Sequence, residues 1–176
     1  MMLFAKFKSA VLGILLLLGF TSLSSTAYAQ QAALDLPELR LYKAEDYPKY
    51  EKDVLSAINW MTSTPVDENP GQRKEAEKFL FTWVSGSPDV SVVIDPRIID
   101  LSNDGHLLLV YIGGWAKNAI ENPKADKEEN LTAALNTTLE FYQNNKEALG
   151  KNKATEKLLK LKEKGKFEEH VQKFSK

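Results

Sequence analysis

Two histidines, His106 and His170, and no cysteine are present in the 176-residue chain, which narrows catalytic and metal chemistry at once. His106 stands in Asn103-Asp104-Gly105-His106, where Asp104 and His106 offer two ligands. A metal site needs three or four in defined geometry, and nothing nearby completes one, so the segment reads as a helix N-cap with a surface histidine. Ser85 and Ser87 flank Gly86 in Val84-Ser85-Gly86-Ser87-Pro88, raising a serine nucleophile served by His106 and an aspartate. A nucleophile elbow requires Gly-x-Ser-x-Gly between strand and helix. This stretch follows a helical pattern and lacks the second glycine, and is expected to stop that helix. Carboxylates are plentiful, and two held about 5 to 9.5 Å apart would permit glycosidase-type acid/base work. No spacing singles out a pair; Glu75, Glu77, Glu128 and Glu129 fall where early helical turns favour acids. No catalytic residue, metal ligand or cofactor is assigned.

Binding chemistry is better represented. Exposed tryptophans stack on sugars or hold apolar peptides. Trp83 and Trp115 fall on apolar stripes and are expected in the core. Trp60, beside Met61 near a helix end, is expected to face a groove and is the candidate ligand-binding residue. Residues 151–176 hold nine lysines against four glutamates, leaving the rest of the chain acidic. Lys157, Lys160, Lys164 and Lys166 are the candidate interaction residues, for an unidentified protein or envelope component or for weak contact with an anionic membrane. Lysines along a helix are more often simply a solvated face. A nucleic-acid partner is not expected. Asn130-Leu131-Thr132 and Asn136-Thr137-Thr138 match the N-glycosylation triplet and are read as helix surface.

The run LLLVYIGGWAKNAI, residues 107–120, sets Gly113 and Gly114 inside an apolar helical pattern. Two glycines cost about 2 kcal/mol relative to alanines in a helix interior. A phosphate-gripping loop is excluded, since no clear strand precedes the pair and no Lys-Ser or Lys-Thr follows it. Close approach of a neighbouring helix on each flank is the leading explanation, with a helix break as the alternative.

These residues must be positioned by helices. Residues 30–46 read as an extended lead-in, because Leu34, Leu36, Leu39 and Leu41 are apolar points among polar neighbours and Pro37 interrupts any helix. Residues 47–176 read as a single helical domain. Tyr50, Val54, Ala57, Ile58 and Met61 recur at helical spacing, with Asp46 near the start, Pro48 in the opening turn and Pro65 as the stop. Asn69 as cap, Pro70 at the first helical position and Gln72 as capping-box partner open a second helix with the stripe Ala76, Phe79, Leu80, Trp83, Val84. In residues 89–101, Val90, Val92 and Ile94 alternate like a strand and Asp95-Pro96 suits a turn; lacking a strand partner, the segment is read as an apolar connector. A third helix carries the glycine pair to Asn122-Pro123. Asp126 and Glu129 then have capping-box spacing before Leu131, Ala134, Leu135, Thr138, Leu139 and Tyr142, a stripe leading towards Gly150. A final pair, 152–164 and 167–174, hinges at Gly165. The expected fold is all-α, an antiparallel helical bundle or a short stack of helical hairpins.

Residues 1–29 have the layout of a secretory signal peptide: Lys6 and Lys8, an apolar run over 10–20, then Ala27-Tyr28-Ala29 as a cleavage site. A membrane anchor needs about 20 apolar residues, and Thr21, Ser22 and Ser24 interrupt too early. Without cysteine there is no lipid attachment and no disulfide, so the protein is expected to be exported, periplasmic or extracellular, and not lipid-anchored. The expected function is a non-enzymatic binding or protein-interaction module. An envelope-polymer hydrolase using two carboxylates, or a membrane-surface-associated protein, are the alternatives.

Two stretches carry resemblances. LKEKGKFEEHVQKF, residues 161–174, resembles one tetratricopeptide hairpin, although His170 stands where that pattern prefers alanine and nothing similar recurs about 34 residues earlier. FTWVSGSPDVSV together with IGGWAKNAIEN resembles a family of small exported helical proteins. That resemblance implies a helical fold and brings no catalytic pattern.

Overall fold

The computed structural model describes residues 34–95, 101 and 104–175. The expected signal peptide and the turn at Pro96 lie outside the described residues. Seven α-helices account for the fold among the described residues, and none of them is long and apolar enough to cross a membrane.

The lead-in over residues 34–43 contains no helix, and its four leucines pack partly buried against the core. Gln72 Nε2 donates to Leu34 O at 2.9 Å, and Tyr50 Oη accepts from Arg40 N at 3.1 Å. Gln72 therefore docks the lead-in instead of closing a capping box. Asn69 likewise does not cap with its side chain: it adopts the left-handed conformation at φ 48°, ψ 56°, which asparagine tolerates better than most residues.

The first helical turn departs from the sequence expectation. Ala44–Tyr50 forms a 3-10 helix, and α1 begins only at Glu51 and ends at Ser63. Pro48 explains this, since it has no N–H to donate and its ring crowds the carbonyl four residues back. The tighter turn is held by Asp46, which accepts from Tyr42 N, Lys43 N and Lys49 Nζ. The Lys49 ammonium is the main cause that holds this carboxyl below the usual carboxylate range.

Helix α2, Pro70–Gly86, pairs antiparallel with α1. Helix α3, Gly105–Glu121, is capped by Asp104, whose Oδ1 accepts from His106 N and Leu107 N at 3.1 Å each. Helix α4, Lys127–Asn144, opens with the reciprocal Asp126–Glu129 capping box that the sequence predicts. It stops at Asn145 instead of running to Gly150. Asn145 Oδ1 accepts from Val66 N at 2.7 Å, a bond that turns the chain into the single-turn helix α5, Lys146–Leu149. Helices α6, Lys153–Glu163, and α7, Phe167–Ser175, complete the chain, turning through Gly165 at φ +64°.

Helix α3 is central, packed against α1, α2 and α4, and α4 in turn carries α6 and α7. Leu107, Val110 and Ala116 have no exposed surface. Each buried leucine or valine contributes about 1.5 to 3 kcal/mol. The glycine pair lies in this helix, which is continuous through it. A Cβ on Gly113 would meet Ile58 of α1 at 3.3 Å and Leu80 of α2 at 3.4 Å; one on Gly114 would meet Thr137 of α4 at 2.8 Å. Helices approach both flanks, and the glycines are what lets them.

The connector contains no strand among its described residues. It is tied down by Tyr111 Oη, which donates to Val93 O at 2.7 Å. Burial first, then the charge of Asp95, raise the Tyr111 phenol above its ordinary range. The folded state thus favours the neutral phenol. That stability is fully present below about pH 10, the unfolded value, and is lost as pH rises above it. Tyr111→Phe is expected to cost about 1 kcal/mol at neutral pH. In thermal melts the gap to wild type should narrow above about pH 10; a gap that widens there contradicts the assignment.

Candidate functional site

The residues with catalytic potential resolve into structural roles. His106 engages Asp104 through its backbone N–H, while its ring Nδ1 meets Glu77 Oε1 of α2 at 2.6 Å, linking α2 to the start of α3. No group of three or more His, Cys, Asp or Glu side chains able to hold a metal ion occurs among the described residues. Ser85 Oγ donates to Phe81 O at 2.7 Å and Ser87 Oγ accepts from Val90 N at 3.3 Å, as befits a helix stop. His170 packs edge-on against Phe174 at 5.0 Å, and burial, followed by Lys157 and Lys173, lowers its pKa.

Trp83 and Trp115 are buried. So is Trp60, at 6% exposure, and it lines neither of the grooves described below. The Arg73 guanidinium covers its ring at 5.5 Å and lies equally close to Phe141. Arg73 itself is 1% exposed and donates to three carbonyls where α1 ends: Met61 at 3.1 Å, Thr64 at 2.7 Å and Pro65 at 3.1 Å. Its importance escapes a reading by residue type, but its register carries a signal. Positions 73, 76, 80 and 83 form one stripe, with Ala76, Leu80 and Trp83 as its other members.

Two of the concave surfaces among the described residues bear on the candidate residues. A groove of about 550 Å³ runs between α1 and α4 over Gly114 of α3. Its lining is mostly polar, with Thr62, Lys117, Asn118, Glu121, Asn136 and Glu140 among the contributors. Asn136, at a triplet position, is half-buried here, with Oδ1 accepting from Lys162 Nζ at 2.7 Å. Asn130, at the other triplet, is buried and bonded to Asn118, so it is not helix surface.

The second is a shallow trough of about 470 Å³ along α6, lined by Lys151, Lys153, Lys157, Lys160, Lys164, Glu156 and Leu161. Lys153, Lys157, Lys160 and Lys164 follow helical spacing and share one exposed face. Lys166, in the turn, is exposed too. The structure thus brings Lys157, Lys160 and Lys164 together, while Trp60 lies in the core between α1, α2 and α4. Glu156, the one carboxylate lining the trough, is occupied elsewhere. Lys146 Nζ sits 2.5 Å from its Oε1 and the buried Tyr142 hydroxyl donates to it at 3.0 Å. These two partners, Lys146 foremost, hold its pKa below the usual carboxylate range. Comparison of the chain with protein-family models, curated proteins and solved structures returns no match.

Proposed function

We propose that this chain is an exported, non-enzymatic interaction module that presents the lysine face of α6 to an acidic partner protein. One observation carries the reading: four exposed lysines share a face whose only lining carboxylate is engaged by Lys146 and Tyr142. Aligned cations without counter-charges attract an anionic surface over about a Debye length, 8 to 10 Å. The layout of residues 1–29 supports export, and the mature chain would begin at Gln30. Hydrolysis by two carboxylates is less well supported. Glu121 and Glu140 line one groove but both are exposed, whereas an acid catalyst holding its proton at neutral pH needs a desolvated pocket.

Charge reversal is the appropriate test. Truncation of the hairpin would strip Phe167 and Val171, each 1% exposed, from the core. Full-length mature protein is expected to bind immobilised poly-glutamate in a salt-dependent manner. Lys157→Glu/Lys160→Glu/Lys164→Glu should weaken this by about tenfold or more with an unchanged melting curve. Anionic phosphatidylglycerol vesicles form the second arm. Binding to vesicles but not to poly-glutamate replaces the protein partner with a membrane surface, and binding to neither removes the lysine face as a contact.

A further inference from the structure

We propose that the groove between α1 and α4 binds a small aliphatic polyamine, a ligand with two or more ammonium groups on an alkyl chain. This concerns a different surface from the α6 face and stands independently of it. The argument begins with the hydrogen bonds already made there. Thr62 Oγ1 donates to Ile58 O and Thr137 Oγ1 to Ala133 O, both at 2.9 Å, so each hydroxyl has only acceptor capacity left to offer. Thr64, also in the lining, holds a buried Oγ1 with no hydrogen-bond partner among the described residues. Glu121 and Glu140 add two carboxylates that have no ion pair among the described residues.

Against these acceptors stand two cations that are already engaged: Lys117, whose Nζ donates to Asn59 Oδ1, and Lys162, whose Nζ donates to the lining Asn136 Oδ1, both at 2.7 Å. The groove therefore offers hydroxyl acceptors and two carboxylates unpaired among the described residues, while its neighbouring ammonium groups are engaged, which favours a cationic donor over an anion. A sugar lacks its usual platform, since the one aromatic in the lining, Phe141, is 1% exposed. Pro65 and Ala133 supply accessible apolar lining for an alkyl stem of the kind that lysine side chains lay along apolar surface. A volume of about 550 Å³ suits a small ligand. The α4 wall from Ala133 to Asn144 runs about 16 Å, giving an extended chain with spaced charges room to span it.

Calorimetric titration with spermidine at fixed ionic strength tests this. Saturable binding of one spermidine per chain is expected, weakened about tenfold or more in Glu121→Gln/Glu140→Gln. Glu147→Gln, on α5 outside the groove, should leave the affinity within about twofold. Fully N-acetylated spermidine keeps the chain but loses the charges and must not bind, a readout independent of whether any variant folds. A capped Ala-Lys-Ala-Lys-Ala peptide separates the two sources of an alkylammonium. If only the peptide binds, the free-polyamine ligand is overturned. Absence of saturable spermidine binding, or equal weakening by Glu147→Gln, overturns the groove as a site.

Discussion

Arg73→Leu is expected to lower the unfolding free energy by about 3 to 5 kcal/mol, a large share of the 5 to 15 kcal/mol typical of a domain. Arg73 is a buried cation with no carboxylate in contact among the described residues. Burial pulls its pKa down from the usual value, and only the more distant charges of Glu77 and Asp67 oppose this. Carbonyl dipoles and aromatic faces therefore compensate the lost hydration. Met61, Thr64 and Pro65 supply acceptors that the end of α1 leaves without intrahelical partners. Trp60 and Phe141 sandwich the guanidinium from α1 and α4. Removing it strands the Met61 and Thr64 carbonyls, while Pro65 O keeps Glu68 N at 3.1 Å, and leaves two large rings without the group between them.

Arg73→Lys is not expected to rescue, because a single ammonium cannot reproduce the planar fork that reaches Met61 with one nitrogen and Thr64 and Pro65 with the other. Urea denaturation read by tryptophan fluorescence checks both variants, with an unchanged slope showing that the denatured state is unaltered. Buried ions replaced by apolar residues of similar volume are sometimes neutral or stabilising. That outcome for Arg73→Leu would mean the Met61 and Thr64 carbonyls find other partners and the clamp is dispensable.

What could be read from the sequence divides along the range of the interaction. Asp104, and the Asp126–Glu129 box, are legible because a cap is made within three residues, where spacing is the geometry. The hinge at Gly165 and the stop after Gly86 are equally local. The burial of Trp60 is not legible in the sequence, because its cover comes from Arg73 and Phe141, and no periodicity brings three helices to one point. The split between α4 and α5 hangs on a bond from Val66, 79 positions away. The α1–α4 groove is illegible for the same reason: Thr62, Lys117 and Glu140 become neighbours only after the helices pack. Conversely, the lysine face lies on one helix, and its spacing alone places it.

Gly114→Leu carries the second large expected effect, a loss of about 3 kcal/mol, at the upper end of overpacking costs. The glycine pair looks symmetric in sequence and is not so in structure. At Gly113 the obstacles to a Cβ are the Ile58 and Leu80 side chains at 3.3 to 3.4 Å, which can yield by a few tenths of an ångström. At Gly114 they include the Ala134 Cα at 3.0 Å, part of the α4 backbone, as well as Thr137 Cβ and Oγ1 at 2.8 Å. Backbone can give way only if the whole helix shifts. Gly113→Ala is accordingly expected within about 1 kcal/mol of wild type, since the helix-propensity gain offsets the crowding, while Gly114→Ala loses about 1 to 3 kcal/mol despite the same gain. Combining Gly114→Ala with Thr137→Gly should cost less than the two changes summed, because the second removes the Cβ that the first strikes. Additive losses in thermal melts would place the strain elsewhere, and a higher melting temperature for Gly114→Ala would mean that α3 and α4 do not meet as closely as their backbones require.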